Sequence, residues 1–326
     1  MRSPARLLLL VLLGLAWWAG QAGAEQVRIA GQDYVRLADW ARNNGLEAHW
    51  LKQDESLQLS NQAAKLVLTV DHRETQINGI EVWLLFPPVL RSGNAYLAQL
   101  DVQTTLLPIL SPPKYPRKAR VKTVCLDPGH GGKDTGYAIG TNQEKNYTLL
   151  LAQEVRKQLG QAGFKVILTR TSDEFVELTT RPEIARRKSA DLLVSLHFNA
   201  AETARETAQG AEVYCLTPAR ATSTNARGEG GDVGPFPGNR CNEKNLFLAY
   251  ELQKALTHSL GAEDRGVRRA RFAILRDATM PATLIEAGFM SHPVEGRKIF
   301  TAAYRQKMAR AIVEGVLAYK RQVERQ

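Results

Sequence analysis

The sequence predicts an α/β protein whose mostly parallel sheet is flanked by helices, with a small β-rich region ahead of it. Two observations carry this. From Val121 onward, short apolar runs alternate with segments of helical spacing. Before that point the chain shows brief period-two alternation bounded by turn signals, the mark of half-buried strands.

Residues 1–24 stand apart from both regions. Arg2 and Arg6 give a basic start, Leu7 to Trp18 is an almost unbroken apolar run, and Ala22-Gly23-Ala24 offers small residues for cleavage. This is the layout of a signal peptide cut before Glu25. An uncleaved anchor is the other reading, but the run is short for the ~30 Å hydrocarbon core of a bilayer. No later stretch is apolar for long enough to span one. The expectation is a protein secreted across the inner membrane, to the periplasm or the cell wall outside.

Residues 25–110 form the β-rich region. Val27-Arg28-Ile29, Leu57-Gln58-Leu59 and Lys65 to Val70 alternate, and Asn78-Gly79 is a hairpin turn signal. Tyr34 to Ala41 reads as a short amphipathic helix ending near Asn43-Asn44-Gly45. This order of strand, helix and paired strands resembles the small domain named after the N-terminal region of copper amine oxidases. The resemblance implies a binding or spacer module without copper chemistry, because His49 and His72 stand alone. Residues 111–121, just after Pro108, are rich in Pro, Lys and Arg and read as a stiff, solvated linker.

Within 122–320 the expected strands are Val121–Leu126, Lys165–Thr169, Leu192–Leu196, Ala211–Leu216, Ala273–Leu275 and Ala282–Ile285. The expected helices are Glu144–Leu159, Arg181–Lys188, Leu246–Leu260 and Tyr304–Lys320. Residues 219–240, rich in Gly, Thr, Ser and Asn, read as a long exposed loop at the rim of a site.

Composition sets outer bounds. The 326 residues are 44% hydrophobic and 23% charged, enough for a full core. The formal charge of +10 falls to +8 without Arg2 and Arg6. Such a balance suits an acidic polymer. Bacterial wall fits a secreted chain better than nucleic acid does, and no basic–aromatic binding module stands out. Of the three cysteines, Cys125 lies in an apolar strand, while Cys215 and Cys241 flank a loop where pairing is open. The absence of a CxxC spacing removes a cysteine zinc site.

Ligands in open α/β sheets bind at the carboxyl ends of strands. His130 follows the first strand of this region inside Asp127-Pro128-Gly129-His130-Gly131-Gly132, and His197 closes the strand Leu192–Leu196. Glu286 ends Thr283-Leu284-Ile285, and Glu144 opens the helix after the glycine-rich turn. Four metal-binding or proton-moving side chains thus fall on one rim. Two histidines and a carboxylate are a known catalytic zinc set that leaves a position for water. A remaining carboxylate is then available for general base and acid work.

The stretches Leu126–Asp134, Glu144-Lys145-Asn146, Val166–Arg170, Leu178 with Arg181, Ala190–Asn199, Gly210–Tyr214, Arg265-Gly266-Val267 and Met280–Ser291 resemble, in order, the zinc-dependent N-acetylmuramoyl-L-alanine amidases. The resemblance implies one Zn2+ held by His130, Glu144 and His197, with Glu286 as the catalytic glutamate. It also implies peptidoglycan as substrate, cut between the lactyl group and L-alanine, and raises an activator protein as partner. Arg170, Arg181 and Asn199 match supporting positions, Asn199 as an orienter of the His197 ring. Phe198 stands where a small residue is usual and narrows one wall. His292 replaces a common Asn and reads as a surface residue. A zinc peptidase acting on stem-peptide bonds and a wall-binding protein with a dead site remain the competing readings.

Overall fold

The computed structural model describes residues 24–224 and 233–324. The expected signal peptide, Ala24 apart, and the middle of the 219–240 loop lie outside them.

The N-terminal region runs β1 (Gln26–Ile29), β2 (Gln32–Arg36), α1 (Leu37–Asn43), β3 (Glu47–Lys52), β4 (Ser56–Ser60), β5 (Lys65–Thr69), β6 (Glu74–Ile77), β7 (Ile80–Trp83), β8 (Val89–Arg91) and β9 (Asn94–Ala98). A helical run follows as α2 (Gln99–Asp101), a π-turn over Val102–Leu106, and α3 (Leu107–Leu110). The second region continues with β10 (Thr123–Pro128), β11 (Ala138–Ile139), β12 (Asn142–Gln143), α4 (Glu144–Gln161), β13 (Lys165–Leu168), α5 (Thr180–Arg187) and β14 (Leu192–Asn199). Then come β15 (Ala211–Leu216), α6 (Asn242–Ala255), β16 (Asp264–Ala270), α7 (Ala273–Arg276), β17 (Ala282–Phe289), α8 (Glu295–Ile299) and α9 (Ala302–Glu324).

Eleven strands make one sheet in the order β13-β10-β14-β17-β15-β16-β7-β6-β5-β4-β3. Within this sheet the second-region strands pair in parallel except β15 with β17, and β11 and β12 form a separate antiparallel pair. Beyond β7 the sheet turns antiparallel. β7 joins β16 in parallel at Val82 and Val267. The two expected regions therefore share one continuous sheet, joined edge to edge at the parallel β7–β16 pair. One buried cluster runs from Val35 to Val323 across both regions.

Period two in β10 divides the core. Val124 and Leu126 point to the face covered by α4, α6 and α9, whereas Cys125 points to the smaller cluster with Ala185, Ile274 and Leu275. Burying alternate residues on both faces explains the unbroken apolar runs of a parallel sheet.

Several expectations are corrected. Tyr34-Val35-Arg36 form a strand because they pair with β9, opposite Ala98, Leu97 and Tyr96. The helical run 99–110 contains Pro108, tolerated because it sits in the first turn after the π-turn, where its missing N–H is not needed. Ala273–Leu275 is helical, since β16 already occupies the neighbouring position in the sheet. β16 itself was hidden by Arg265, Arg268 and Arg269, which break the apolar pattern. The linker is tied down: the Tyr115 N–H donates to Val323 O at 2.8 Å and the Val121 N–H to Glu324 Oε1 at 2.7 Å. All three thiols are free, and burial pushes Cys125 up to about 12. His292 is buried at 7% exposure, its Nδ1 accepting the Glu295 N–H at the start of α8.

Candidate active site

The site lies where β10, β14 and β17 end. Between β10 and α4 the chain must turn sharply, and His130 adopts a left-handed backbone with φ 61°. Such a backbone is uncommon for a non-glycine residue. Its neighbours hold it there. Arg181, 2% exposed, donates to His130 O at 2.9 Å, to Pro128 O at 3.0 Å and to Asp127 Oδ1 at 2.9 Å. Arg170, 1% exposed, donates to Pro128 O, Gly129 O and Lys145 O. Asp127 is further held by the hydroxyls of Thr169 and Ser195. These buried guanidiniums satisfy carbonyls that the turn leaves without sheet partners.

Three predicted ligands converge. The His130 Nε2 lies 3.0 Å from Glu144 Oε2, and the His197 Nδ1 lies 3.1 Å from Glu144 Oε1. The two imidazole centroids are 4.8 Å apart. His130 Nδ1–H donates to Asp134 Oδ2 at 2.9 Å, which turns Nε2 inward. Backbone N–H groups of Tyr137 and Phe198 fix the two Glu144 oxygens at 3.0 and 3.1 Å. Burial opposes the Glu144 charge, but His130 and His197 overcome it and hold the carboxyl well below its usual range. His130 is raised in turn, because Glu144 and Asp134 outweigh its burial.

This geometry fits a cation. A lone pair on Nε2 faces a carboxylate, so either a proton or a positive ion must lie between them. The ligand atoms of His130, Glu144 and His197 are within 4.8 Å of one another. Tetrahedral zinc at about 2.0–2.2 Å from each ligand sets ligand atoms roughly 3.3–3.6 Å apart, a spacing the two His–Glu144 separations of 3.0 and 3.1 Å already approach.

Two glycines make the room. A Cβ on Gly129 would sit 2.2 Å from the His197 Cε1, and one on Gly136 2.5 Å from Glu144 Oε2. Neither approach tolerates a side chain.

Glu286 is brought beside these groups because β17 pairs His197 with Glu286 in register. On its other side β15 sets Glu212 opposite Glu286. Glu286 Oε2 is cut off from solvent and lacks a hydrogen-bond partner. Burial, then the charges of Glu144 and Glu212, drive its pKa well above the usual value. A cleft of ≈ 380 Å³ opens over His130, Glu144, His197 and Glu286, walled by Tyr137, Leu178, Phe272 and Ile274.

The supporting residues fall differently. Arg170 and Arg181 brace the turn, and Arg181 also lines the cleft. The Asn199 amide donates to Glu212 Oε1 at 2.8 Å, not to the His197 ring. Phe198, 2% exposed, packs in the core and also lines the cleft wall, as expected. Sequence reasoning missed Asp134, whose signal was its position four residues after His130 in the same tight turn. It also missed Glu212, which Asn199, Tyr214, Arg265 and Arg268 hold and whose signal was its place in the matching stretch Gly210–Tyr214.

Comparison with known proteins gives a consistent picture. The family described as N-acetylmuramoyl-L-alanine amidase (Amidase_3) matches residues 124–318. The chain is 34% identical over 233 residues to N-acetylmuramoyl-L-alanine amidase AmiA of Escherichia coli (strain K12), covering 64% of this chain and 80% of that protein. The crystal structure of the N-acetylmuramoyl-L-alanine amidase of Clostridium difficile 630 is similar at 33% identity and TM-score 0.51, with 62% of this chain and 97% of that one covered. The CwlD amidase of Clostridioides difficile, solved in complex with the GerS lipoprotein, is similar at 26% identity and TM-score 0.51, covering 61% and 98%. The match begins at residue 124, so the likeness of residues 25–110 to a copper amine oxidase domain rests on element order alone. With the family matched over more than half its length, around a cleft of the expected donors, the chain belongs to the N-acetylmuramoyl-L-alanine amidases.

Proposed function

We propose that this chain hydrolyses the amide between the lactyl group of N-acetylmuramic acid and L-alanine in peptidoglycan, with His130, Glu144 and His197 holding zinc and Glu286 moving the proton. The observation that carries the reading is the meeting of two imidazoles and a carboxylate beside a second, unpartnered carboxylate in one cleft. Bound there, zinc would supply Lewis-acid polarisation of the substrate carbonyl and lower the pKa of water.

The chain's own residues do the rest. Glu286 accepts the proton of the attacking water and returns it to the departing L-alanine nitrogen. A carboxyl driven above its ordinary range keeps that proton long enough to deliver it. Asp134 fixes the His130 tautomer, and the Tyr137 and Phe198 amides fix Glu144, so the ligands are ordered beforehand. Arg170 and Arg181 keep the glycine-rich turn in place.

The proposal includes secretion, on the strength of Arg2, Arg6, the run Leu7–Trp18 and Ala22–Ala24. No helix of the described residues is long and apolar enough to cross a membrane. It also includes a protein activator, supported by the relative held in a complex with a lipoprotein. Residues 25–110 act as a fixed extension of the catalytic sheet, supported by the β7–β16 pairing.

Digestion of purified peptidoglycan, with the activator's absence controlled by adding cell-envelope extract, tests the reading. Chelator-sensitive release of intact stem peptides is expected. Glu286→Gln should lower turnover by about 10²–10⁴-fold while metal binding is retained. Cleavage within the stem, with the sugar–peptide link left whole, would overturn it in favour of a zinc peptidase.

A further inference from the structure

Charge is distributed unevenly between the two ends of the parallel strands. The loops that follow β10, β13 and β14 surround the cleft and carry Asp134, Asp173, Glu174, Glu177, Glu202 and Glu206. Lys133, Arg205 and the buried Arg170 lie in the same loops, Lys145 pairs with Asp173 at 2.8 Å, and Arg297 and Lys298 are exposed just after β17, so this end is of mixed charge. The opposite end is basic. Lys122 precedes β10, Lys165 opens β13, and Lys188 lies just before β14.

Backbone bonds bring these segments to one pole. The Lys165 N–H donates to Lys122 O at 2.9 Å, and the Asp191 N–H to Thr123 O at 2.8 Å. The linker adds Lys118 and Lys114, with Lys114 Nζ donating to Gln322 O of α9. Arg321 on the last turn of α9 is exposed as well. Lys118, Lys122, Lys165 and Lys188 are all exposed. The carboxylates of these segments are already engaged: Asp191 accepts the Lys122 and Thr123 N–H groups, and Glu324 accepts the Val121 N–H and pairs with Lys320. Pro112, Pro113 and Pro116 stiffen the linker, and its bonds to α9 hold its cations in place rather than on a free tether.

We propose that this basic pole docks the protein on an anionic phospholipid surface, leaving the cleft facing away from it. The chemistry is the attraction of clustered lysines to a laterally mobile array of headgroup phosphates. Cations spread over four separate segments suit a fluid array, whose charges redistribute beneath them. A single defined anion would call for convergent donors instead. The orientation follows from topology. A six-residue strand rises about 20 Å, so the cleft stands roughly that far above the docked pole.

Co-sedimentation of the chain from Glu25 onward, with vesicles of mixed phosphatidylglycerol and phosphatidylcholine and with phosphatidylcholine alone, tests this. The wild type should bind only the mixed vesicles, and salt on the order of 1 M, where the Debye length is about 3 Å, should release it. Replacing Lys118, Lys122, Lys165 and Lys188 together with Glu should weaken binding at least about 100-fold, each lysine being worth about fivefold. A set of Lys→Gln changes at the same positions should give a smaller loss, and guards against misfolding of the first. Digestion of purified peptidoglycan should be unchanged in both. Equal binding to both vesicle types, or full binding by the variants, overturns the proposal. So does loss of retention on purified peptidoglycan with vesicle binding intact, which would assign the pole to the wall instead.

Discussion

Gly129→Ala is the sharpest test of the ligand geometry, because it changes one methyl group and no charge. The new Cβ would lie 2.2, 2.4 and 2.7 Å from the His197 Cε1, Nε2 and Nδ1. Ordinary contact begins near 3.4 Å, so the ring must retreat by about 1 Å. It has little room to do so. Its backbone is fixed in β14 between β10 and β17, and Nδ1 must stay on the Glu144 side to remain a ligand. Gly129 is itself pinned, its N–H donating to Leu196 O and its carbonyl accepting from Arg170 and Thr148. Misplacing a ligand by this much should lower zinc affinity about 10–100-fold, the range seen when outer partners of metal ligands are lost. That corresponds to about 1.4–2.7 kcal/mol. Competition against a chromophoric chelator measures the affinity, and thermal unfolding of the metal-free protein checks that the fold persists. Zinc affinity within threefold of wild type, in a folded variant, would refute the assignment of His197 as a ligand poised against Gly129.

Three other outcomes follow from the same structure. Arg181→Met should destabilise the chain by about 3–5 kcal/mol by leaving Asp127 buried without its cation. In denaturant titrations, Asp127→Asn added to it should recover part of that loss. Asp101, fully buried, is raised to about 6 by burial, against the opposing Leu85 and Phe86 N–H groups, the Thr105 hydroxyl and the Arg269 charge. A carboxyl raised in the folded state stabilises below its unfolded pKa of 3.8, and that contribution disappears as pH climbs through about 6. Unfolding free energy should therefore fall by up to about 3 kcal/mol across this window, and Asp101→Asn should flatten the slope. Removing residues 25–121 should abolish cooperative unfolding, because it strips β16 of its β7 partner, Arg268 of the Trp83 ring, and Arg269 of Thr104 and Thr105. A truncated chain that stays monomeric with an unchanged melting temperature would show the N-terminal region to be a detachable module.

What the sequence determined by itself was local and periodic. Apolar runs bounded by turns marked β10, β14 and β15, since strands buried on both faces must be apolar throughout. Helical spacing marked α4 and α9. The glycine-rich turn after β10 and the charged residues at the strand ends marked His130, Glu144, His197 and Glu286, because a parallel sheet gathers its strand ends on one rim. Element order and motifs were enough to bring those four together. They said nothing about which neighbours would orient them.

The tertiary structure decided the rest. β16 carries three arginines among its apolar residues, and partners remote in sequence, Glu212, Trp83, Thr104 and Thr105 among them, hold them. Asn199 looked like a partner of the His197 ring, but β15 brings Glu212 closer to it. The proline-rich segment read as a stiff, solvated linker, and α9 supplies partners for its backbone. Nor did any local pattern reveal that the N-terminal strands extend the catalytic sheet, since strand pairing at an edge depends on which backbone lies alongside rather than on side-chain periodicity. A sequence records which face of an element is apolar; the identity of the surface that covers it is settled only when distant segments meet.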